Sequence, residues 1–322
     1  MRAPWLLAGL LLLSVASLIF ALAAGSVTIA WSELWAFMSG GEESLGSSLV
    51  LELRLPRALA AFATGGMLAL AGALMQVLLR NPLADPYILG ISGGAAVGAL
   101  LTMLLGAGGI WLTGSAFGGA LLSMLLVFAL AHGRGSWTAT RLLLTGVVVA
   151  AGWGALISLI LSLSPDAQLR GMLFWLMGDL SHADDPWPGL LVLVLGLALS
   201  LPLARNLNVL ARGELQAGAL GVAVAPLRVG VYLIASLLTA VAVTTAGSVG
   251  FVGLVVPHLL RLVIGNDQRL LLPASALLGG SLLTLADTLA RTVAAPQQLP
   301  VGVVTALLGV PVFLYLLSRS HR

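Results

Sequence analysis

Ten apolar stretches divide the sequence, and most of them are long enough to cross a lipid bilayer as helices. A helix that spans the hydrocarbon core needs about 20 predominantly apolar residues. The stretches are 5–24, 57–79, 87–106, 110–131, 141–163, 187–204, 229–249, 251–264, 270–290 and 301–318. The eighth is short and lies between glycines, which indicates a tilted partial span or a broken helix. The sequence therefore predicts one all-α, polytopic membrane domain over residues 1–322.

Charged side chains are too scarce to cover a water-soluble domain, because they make up only 8% of the 322 residues. All 15 basic residues are arginine. A phosphate-binding Walker loop needs a lysine and a Schiff base needs an amine, so the chain is neither a P-loop ATPase nor a Schiff-base enzyme. The absence of cysteine excludes disulfides, thiolate nucleophiles and thiolate metal sites. A net charge of only +3 gives no argument for nucleic acid.

The distribution of arginine predicts the orientation. The first stretch, 5–24, reads as a secretory signal or as a retained span, and its length favours the span. If the N-terminus is inside and all ten stretches cross, only Arg54, Arg57, Arg170 and Arg291 lie outside. Loops on the cytoplasmic side carry an excess of basic residues. Both termini are therefore expected in the cytoplasm.

A weak internal repeat favours a transporter build. The distance from Arg57 to Pro86 equals the distance from Arg228 to Pro257, and in each case a small-residue helix leads to the proline by a short connection. Because an odd number of spans separates the two halves, the repeats would be inverted across the membrane, an arrangement typical of transporters.

A polar elbow, residues 80–90, separates the second and third stretches. Proline lacks an N–H group and restricts the residue before it, so Asn81-Pro82 and Asp85-Pro86 should end one helix and direct the next. We expect a rigid connector there. Small residues also recur every four positions, at Gly65/Ala69/Ala73, Gly90/Gly94/Gly98 and Gly146/Ala150/Gly154. Such faces let helices approach closely in lipid and predict a compact bundle.

One motif suggests an enzyme. Residues 90–93 read Gly-x-Ser-Gly, a pattern of intramembrane serine proteases, and Ser92 would then need His258 as its base. The alternative interpretation is that Ser92 caps the third helix or bonds its own backbone. The other histidines, His132, His182 and His321, share no metal-ligand spacing.

Two charged regions point to partners. Asp287 is the one acid inside an apolar stretch, which makes it a candidate functional residue, but Arg291 four residues later favours an internal ion pair. The outer arginines Arg54, Arg57 and Arg291 either meet an acidic partner or anionic ligand, or pair locally with Glu52 or Asp287. The polar segment 205–227 is either a membrane-surface helix or a docking site for a cytoplasmic partner, with Leu210, Ala217 and Leu220 on one apolar stripe. A chain with no nucleotide site needs an external source of energy to pump, which favours docking.

Three separated motifs resemble the FecCD permease family. They are residues 76–94, residues 247–258, and residues 299–305 followed by Gly309 and Pro311. The resemblance implies a ten-helix permease of a type II ABC importer for iron–siderophores, haem or cobalamin, in a bacterial inner membrane. It further implies a second permease copy, two cytoplasmic ATPase subunits that carry ATP and Mg, and a periplasmic binding protein. The permease itself would bind no cofactor, and the fifth and tenth spans would line the path.

The resemblance also assigns site residues. The cytoplasmic gate would comprise Asn81, Leu83, Ala139 and Thr140; contact with the ATPase would involve Gly213, Glu214, Ala217 and Gly221; and docking of the binding protein would involve Arg54, Arg57 and Arg291. The family's acid before the last Leu-Pro is Gln298 here, and Ala139 lacks a hydroxyl that a cobalamin-type gate carries. An ATP-independent carrier and the Ser92–His258 hydrolase are the alternatives.

Overall fold

All regular structure in the described residues of the computed structural model, 3–25, 45–132, 138–181 and 183–320, is helical. The helices are α1 (Ala3–Ala23), α2 (Leu45–Ser48), α3 (Leu55–Leu78), α4 (Ile91–Leu104), α5 (Ile110–His132), α6 (Ala139–Leu163), α7 (Asp166–Met177), α8 (Trp187–Ser200), α9 (Ala204–Leu210), α10 (Glu214–Ala219), α11 (Val224–Ala246), α12 (Val252–Ile264), α13 (Gln268–Thr292) and α14 (Val301–Ser320). A π-helical turn, Leu49–Arg54, precedes α3, and 3-10 turns lie at Pro86–Leu89 and Leu201–Leu203.

Each of the ten predicted apolar stretches coincides with an apolar helix. Within the described residues seven helical stretches are long and apolar enough to cross a membrane, and α4, α12 and α14 are shorter apolar helices. The multi-pass, all-α class is confirmed. The eighth stretch is a separate 13-residue helix, α12, which Gly265 ends with a positive φ.

Helix α3 lies at the centre of the molecule. In the span Leu49–Leu78, 89% of the most apolar window is buried, and α3 packs against α1, α8, α11, α12 and α13. The small residues explain this contact, because a Cβ on Gly65 would collide with the Gly279 carbonyl of α13 and one on Gly72 with the Gly253 carbonyl of α12. The predicted packing face at Gly65 is confirmed.

Helices α4, α5 and α6 pack beside this core. Gly94 and Gly98 lie against the backbone of α5, and Gly146 of α6 lies against the Ile88 carbonyl. Gly154 differs, since a Cβ there would meet no atom within 4 Å. Only 11% of the apolar window of α6 is buried, so most of this helix faces outward.

The elbow is held by its own hydrogen bonds. The Asn81 side chain accepts from the Leu83 N–H at 2.9 Å, and the Asp85 side chain accepts from the Tyr87 N–H at 2.8 Å. Gly90 then adopts a left-handed φ of 69° before α4 begins. Both side chains form turns of the kind that Asn and Asp favour, so the expected fixed connector is present.

Two sequence predictions about the fold are corrected. Helix α7 lies between the fifth and sixth apolar stretches, where no helix was predicted. Its Met172 is buried, and the Arg170 guanidinium lies 5.7 Å from the centre of the Phe174 ring. The match between Pro86 and Pro257 does not extend to local structure, because Pro86 begins a 3-10 turn whereas Pro257 lies inside α12.

Candidate functional site

A buried carboxylate joins α3 to α13. Asp287 accepts hydrogen bonds from Arg57 Nε at 3.0 and 3.1 Å, from Arg57 Nη2 at 2.8 Å and from Arg291 Nε at 3.0 Å. Arg57 Nη1 donates to Gln298 Oε1 at 2.9 Å. We call Arg57, Asp287, Arg291 and Gln298 the Asp287 cluster. The predicted internal ion pair is confirmed, and Gln298 is a neutral acceptor for Arg57.

Arg54, the third arginine predicted for docking, is bound to another helix end. It is buried, and its Nη1 donates to the carbonyls of Leu22 at 2.8 Å and Ala23 at 3.2 Å. These carbonyls end α1, where a cation is favoured by the helix dipole. All three arginines predicted for docking therefore have partners within the chain, and for Arg57 and Arg291 that partner is Asp287.

The three arginines nevertheless line the same cavity. A cavity of about 240 Å³ is bordered by Arg54, Arg57 and Arg291 together with Glu52, Asp184 and Gln298. Arg57 retains the most exposure of the three, with a side chain that is 12% exposed. Docking of an acidic partner at this cavity stays a prediction.

The four predicted gate residues lie on two neighbouring elements. Asn81 and Leu83 lie in the elbow, and Ala139 and Thr140 begin α6. The Thr138 side chain accepts from the Arg141 N–H at 3.2 Å and caps α6 at its N-terminus. Helix α6 packs against the 3-10 turn of the elbow, so the two pairs of gate residues belong to connected structures.

A second cavity, of about 420 Å³, opens beside the elbow. Its lining is mostly apolar and comprises Asp85, Tyr87 and Ile88 of the elbow, Val147 and Ala150 of α6, and Gly250, Phe251 and Leu254. Burial raises the pKa of Asp85 to about 6, although the hydrogen bond from Tyr87 N–H opposes this shift. The cavity offers an apolar surface with a single carboxylate.

At the opposite end of α3, Glu214 lies between two arginines. Its Oε2 accepts from Arg228 Nη1 at 3.0 Å, and its Oε1 lies 3.9 Å from Arg80 Nη2. We call these three residues the Glu214 cluster. It links the first turn of α10 to the start of α11 and to the first residue of the elbow.

The short helix α10 exposes leucine. Leu215 is 92% exposed and Leu220, just beyond α10, is 70% exposed, whereas Ala217 is buried. The predicted stripe of Leu210, Ala217 and Leu220 is therefore wrong at Leu220. The sequence analysis also missed Leu215, although an apolar residue in so polar a segment was a signal.

Helix α9 is attached to α13 by a residue that the sequence analysis did not identify. Asn208 donates from Nδ2 to Asp267 Oδ1 at 2.7 Å and accepts from the Gln268 N–H at 2.8 Å. The bond from Asn208 lowers the pKa of Asp267. Within the segment 205–227, α9 is therefore held against α13 by hydrogen bonds, whereas α10 presents exposed leucines.

The serine hydrolase alternative is not supported by the geometry. Ser92 donates to the Ser248 hydroxyl at 3.0 Å, and the His258 ring lies edge-on to Phe313 at 6.2 Å. The described residues therefore contain no Ser92–His258 hydrogen bond, which a serine nucleophile needs for activation. The expectation that Ser92 caps α4 is also wrong, because Gly90 is the N-cap residue and the Ser92 hydroxyl bonds Ser248.

Comparison with known proteins gives consistent matches over nearly the whole chain. The family model of the FecCD transport family matches residues 11–319. The hemin transport system permease protein HmuU of Yersinia pestis is 40% identical, over 99% of this chain and 97% of the relative. The vitamin B12 import system permease protein BtuC of Escherichia coli O127:H6 is 39% identical, over 99% and 96%.

A solved structure has the same fold. It is described as an inward-facing conformation of a metal-chelate type ABC transporter, with a TM-score of 0.87 and 32% sequence identity. The match covers 98% of this chain and 99% of that chain. The likeness therefore extends to the full arrangement of helices.

Proposed function

Because this chain belongs to the FecCD transport family, we propose that it is the permease subunit of an ABC importer that moves an iron chelate, haem or cobalamin into the cytoplasm. The observation that carries the proposal is identity of about 40% with haem and cobalamin permeases along almost the entire chain. The apolar helices and the lysine-free composition agree with a subunit that moves cargo while another subunit hydrolyses ATP.

The proposed assembly has two copies of this permease, two ATPase subunits and a periplasmic binding protein. The ten apolar helices each cross the inner membrane, and both termini lie in the cytoplasm, since this orientation leaves most arginines inside. ATP and Mg reside on the ATPases. The membrane subunit contributes a path and its gates.

The path lies between the two copies, along α6 and α14. The low burial of α6 supports this position, because an apolar helix exposed in a single copy needs either lipid or a partner. Val147 and Ala150 of α6 line the cavity of about 420 Å³. Its apolar lining suits a large cargo that needs weak contacts in order to pass.

The ATPase docks at α10. Leu215 and Leu220 supply exposed apolar groups, and Gly221 lies beside them in an exposed turn. Ala217 is buried on the side of α10 that packs against the protein, so it holds α10 in place and does not itself contact the ATPase. The binding protein docks at the cavity around the Asp287 cluster, where the Arg57 edge faces outward.

Reconstitution of the complex in liposomes tests the proposal. Uptake of haem or cyanocobalamin should require the binding protein outside and ATP on the ATPase side. Replacing the Walker lysine of the partner ATPase should abolish uptake, whereas an ATP-independent carrier would retain it. Ser92→Ala should leave uptake close to normal, whereas a serine hydrolase would lose its activity.

A further inference from the structure

Helix α3 ends in a turn at Arg80 whose hydrogen bonds follow a common helix-terminating pattern. The Asn81 N–H bonds to the Gln76 carbonyl at 3.1 Å, and the Arg80 N–H bonds to the Val77 carbonyl at 3.2 Å. This pair of bonds is the Schellman motif, in which the left-handed residue after the helix is usually glycine. Here that residue is Arg80, with a φ of 48°. A side chain in this conformation is uncommon and points to a use for the side chain.

The Arg80 side chain reaches the first turn of α10. Its Nη2 lies 3.9 Å from Glu214 Oε1, and the two side chains are 45% and 34% exposed. Arg228, only 6% exposed, holds the other carboxylate oxygen at 3.0 Å. One carboxylate is therefore bound firmly to α11 and loosely to the elbow. A half-exposed pair at this distance is weak and can be released and re-formed.

We propose that Arg80 is a positioning residue that transmits movement of α10 to the elbow through Glu214. This inference rests on the proposed function, because α10 is the proposed ATPase contact. When the ATPases move α10, Glu214 shifts relative to Arg80, which directly precedes Asn81 and the gate residue Leu83. The bond between Asn81 and the Leu83 N–H makes the elbow move as a unit. Arg228 keeps α10 attached to the core during the movement.

Arg80→Gly separates this role from a structural one. Glycine suits the left-handed turn, so the variant should fold and assemble at least as well as the unaltered chain. Arg80→Lys keeps a cation at the same place and should retain most of the coupling. Arg269→Gln, on the exposed first turn of α13, removes one positive charge outside the Glu214 cluster and is the matched control.

The test measures elbow movement without depending on the cargo. The chain has no cysteine, so Leu83→Cys can carry a nitroxide label in every variant. In the complete complex with its ATPase, the distance between the labels of the two copies is measured before and after vanadate trapping of the nucleotide. We expect a change in the Leu83→Cys reporter background and in the control. In Arg80→Gly the ratio of moved to unmoved label distances should fall by about twofold to fivefold, which is the size of effect that one exposed ion pair can produce. ATP hydrolysis should continue.

The outcomes distinguish the two proposals. A chain that binds no ATPase would overturn the proposed function itself. A complex that hydrolyses ATP, with elbow movement in Arg80→Gly equal to that of the control, would overturn only the role of Arg80. A loss of movement in both Arg80→Gly and Arg269→Gln would also overturn it, because the effect would then follow net charge rather than the bond to Glu214.

Discussion

Arg57 and Asp287 lie 230 residues apart in the sequence, and they are joined by Arg57 N–H groups that bind both carboxylate oxygens of Asp287. The contact fixes the N-terminal turn of α3 against α13. Arg291, which also lies in α13, donates a hydrogen bond to the same carboxylate. Two cations around one buried anion leave an excess of positive charge at this end of the molecule. The cluster therefore depends on the Asp287 carboxylate, which both arginines share.

Asp287→Asn should destabilise the protein by about 3–5 kcal/mol, because removing one partner of a buried ion pair leaves uncompensated charge. The measurement is thermal or denaturant unfolding of the detergent-solubilised permease. Asp184→Asn is the control, since Asp184 borders the same cavity but is exposed; its effect should stay within about 0.5 kcal/mol. Equal stability of the two variants would show that Asp287 does not hold α3 to α13.

Gly72→Ala should also destabilise the fold, by about 1–3 kcal/mol, because a methyl group there overlaps the Gly253 carbonyl and must push α3 away from α12. Gly230→Ala in α11 is the matched change, since a Cβ at Gly230 meets no atom within 4 Å. It should stabilise the helix by about 0.5–1 kcal/mol. Unfolding curves that shift in the same direction for both variants would contradict the packing role of Gly72.

The sequence was most informative where a local pattern decides the structure. In the described residues, apolar length located the seven helical stretches that are long enough to cross a membrane and the three shorter apolar helices. The four-residue spacing revealed the Asp287–Arg291 pair. The Arg57–Asp287 contact could only be left as an alternative, since no local pattern reports a contact across 230 residues. Helix α7 was missed because Asp166, Gln168 and Arg170 make its 12 residues too polar to be taken for a span.

The segment 205–227 was harder to predict for a different reason. A helical stripe requires a continuous helix, but α10 ends at Ala219 and Gly221 turns the chain with a φ of 81°. Leu220 therefore faces outward although its spacing from Ala217 suggested burial. The site residues themselves came from family resemblance, because nothing in Asn81 or Ala139 alone indicates a gate.

Leu215→Ala should weaken association with the ATPase by about tenfold, which corresponds to about 1.4 kcal/mol. Leu215 is 92% exposed, so a partner that covers it removes a large apolar area from water, whereas the truncated part of a polar neighbour contributes less. Gln216→Ala on the same helix is the control and should leave the affinity nearly unchanged. Titration of the purified permease with the ATPase gives both values. A larger loss for Gln216→Ala than for Leu215→Ala would place the contact on another face of α10.

Asp85→Asn should make the stability of the protein less dependent on pH. Asp85 lies in the elbow, outside the apolar helices, and burial raises its pKa to about 6 from 3.8. Between these values the folded chain binds more protons than the unfolded chain, so the carboxyl destabilises the fold increasingly as the pH rises and fully above about pH 6. Asparagine keeps an acceptor for the Tyr87 N–H without the charge. At about pH 7.5 the variant should therefore be more stable than the unaltered protein by about 1–3 kcal/mol, since one pKa unit is about 1.4 kcal/mol, and the difference should shrink toward pH 4.

Asp267→Asn should behave oppositely, because the hydrogen bond from Asn208 lowers the pKa of Asp267 and its contribution is lost as the pH falls. The measurement is the unfolding temperature of each variant between about pH 4 and pH 7.5. If the difference in unfolding temperature between Asp85→Asn and the unaltered chain did not change with pH, the Asp85 carboxyl would not be buried in the folded elbow.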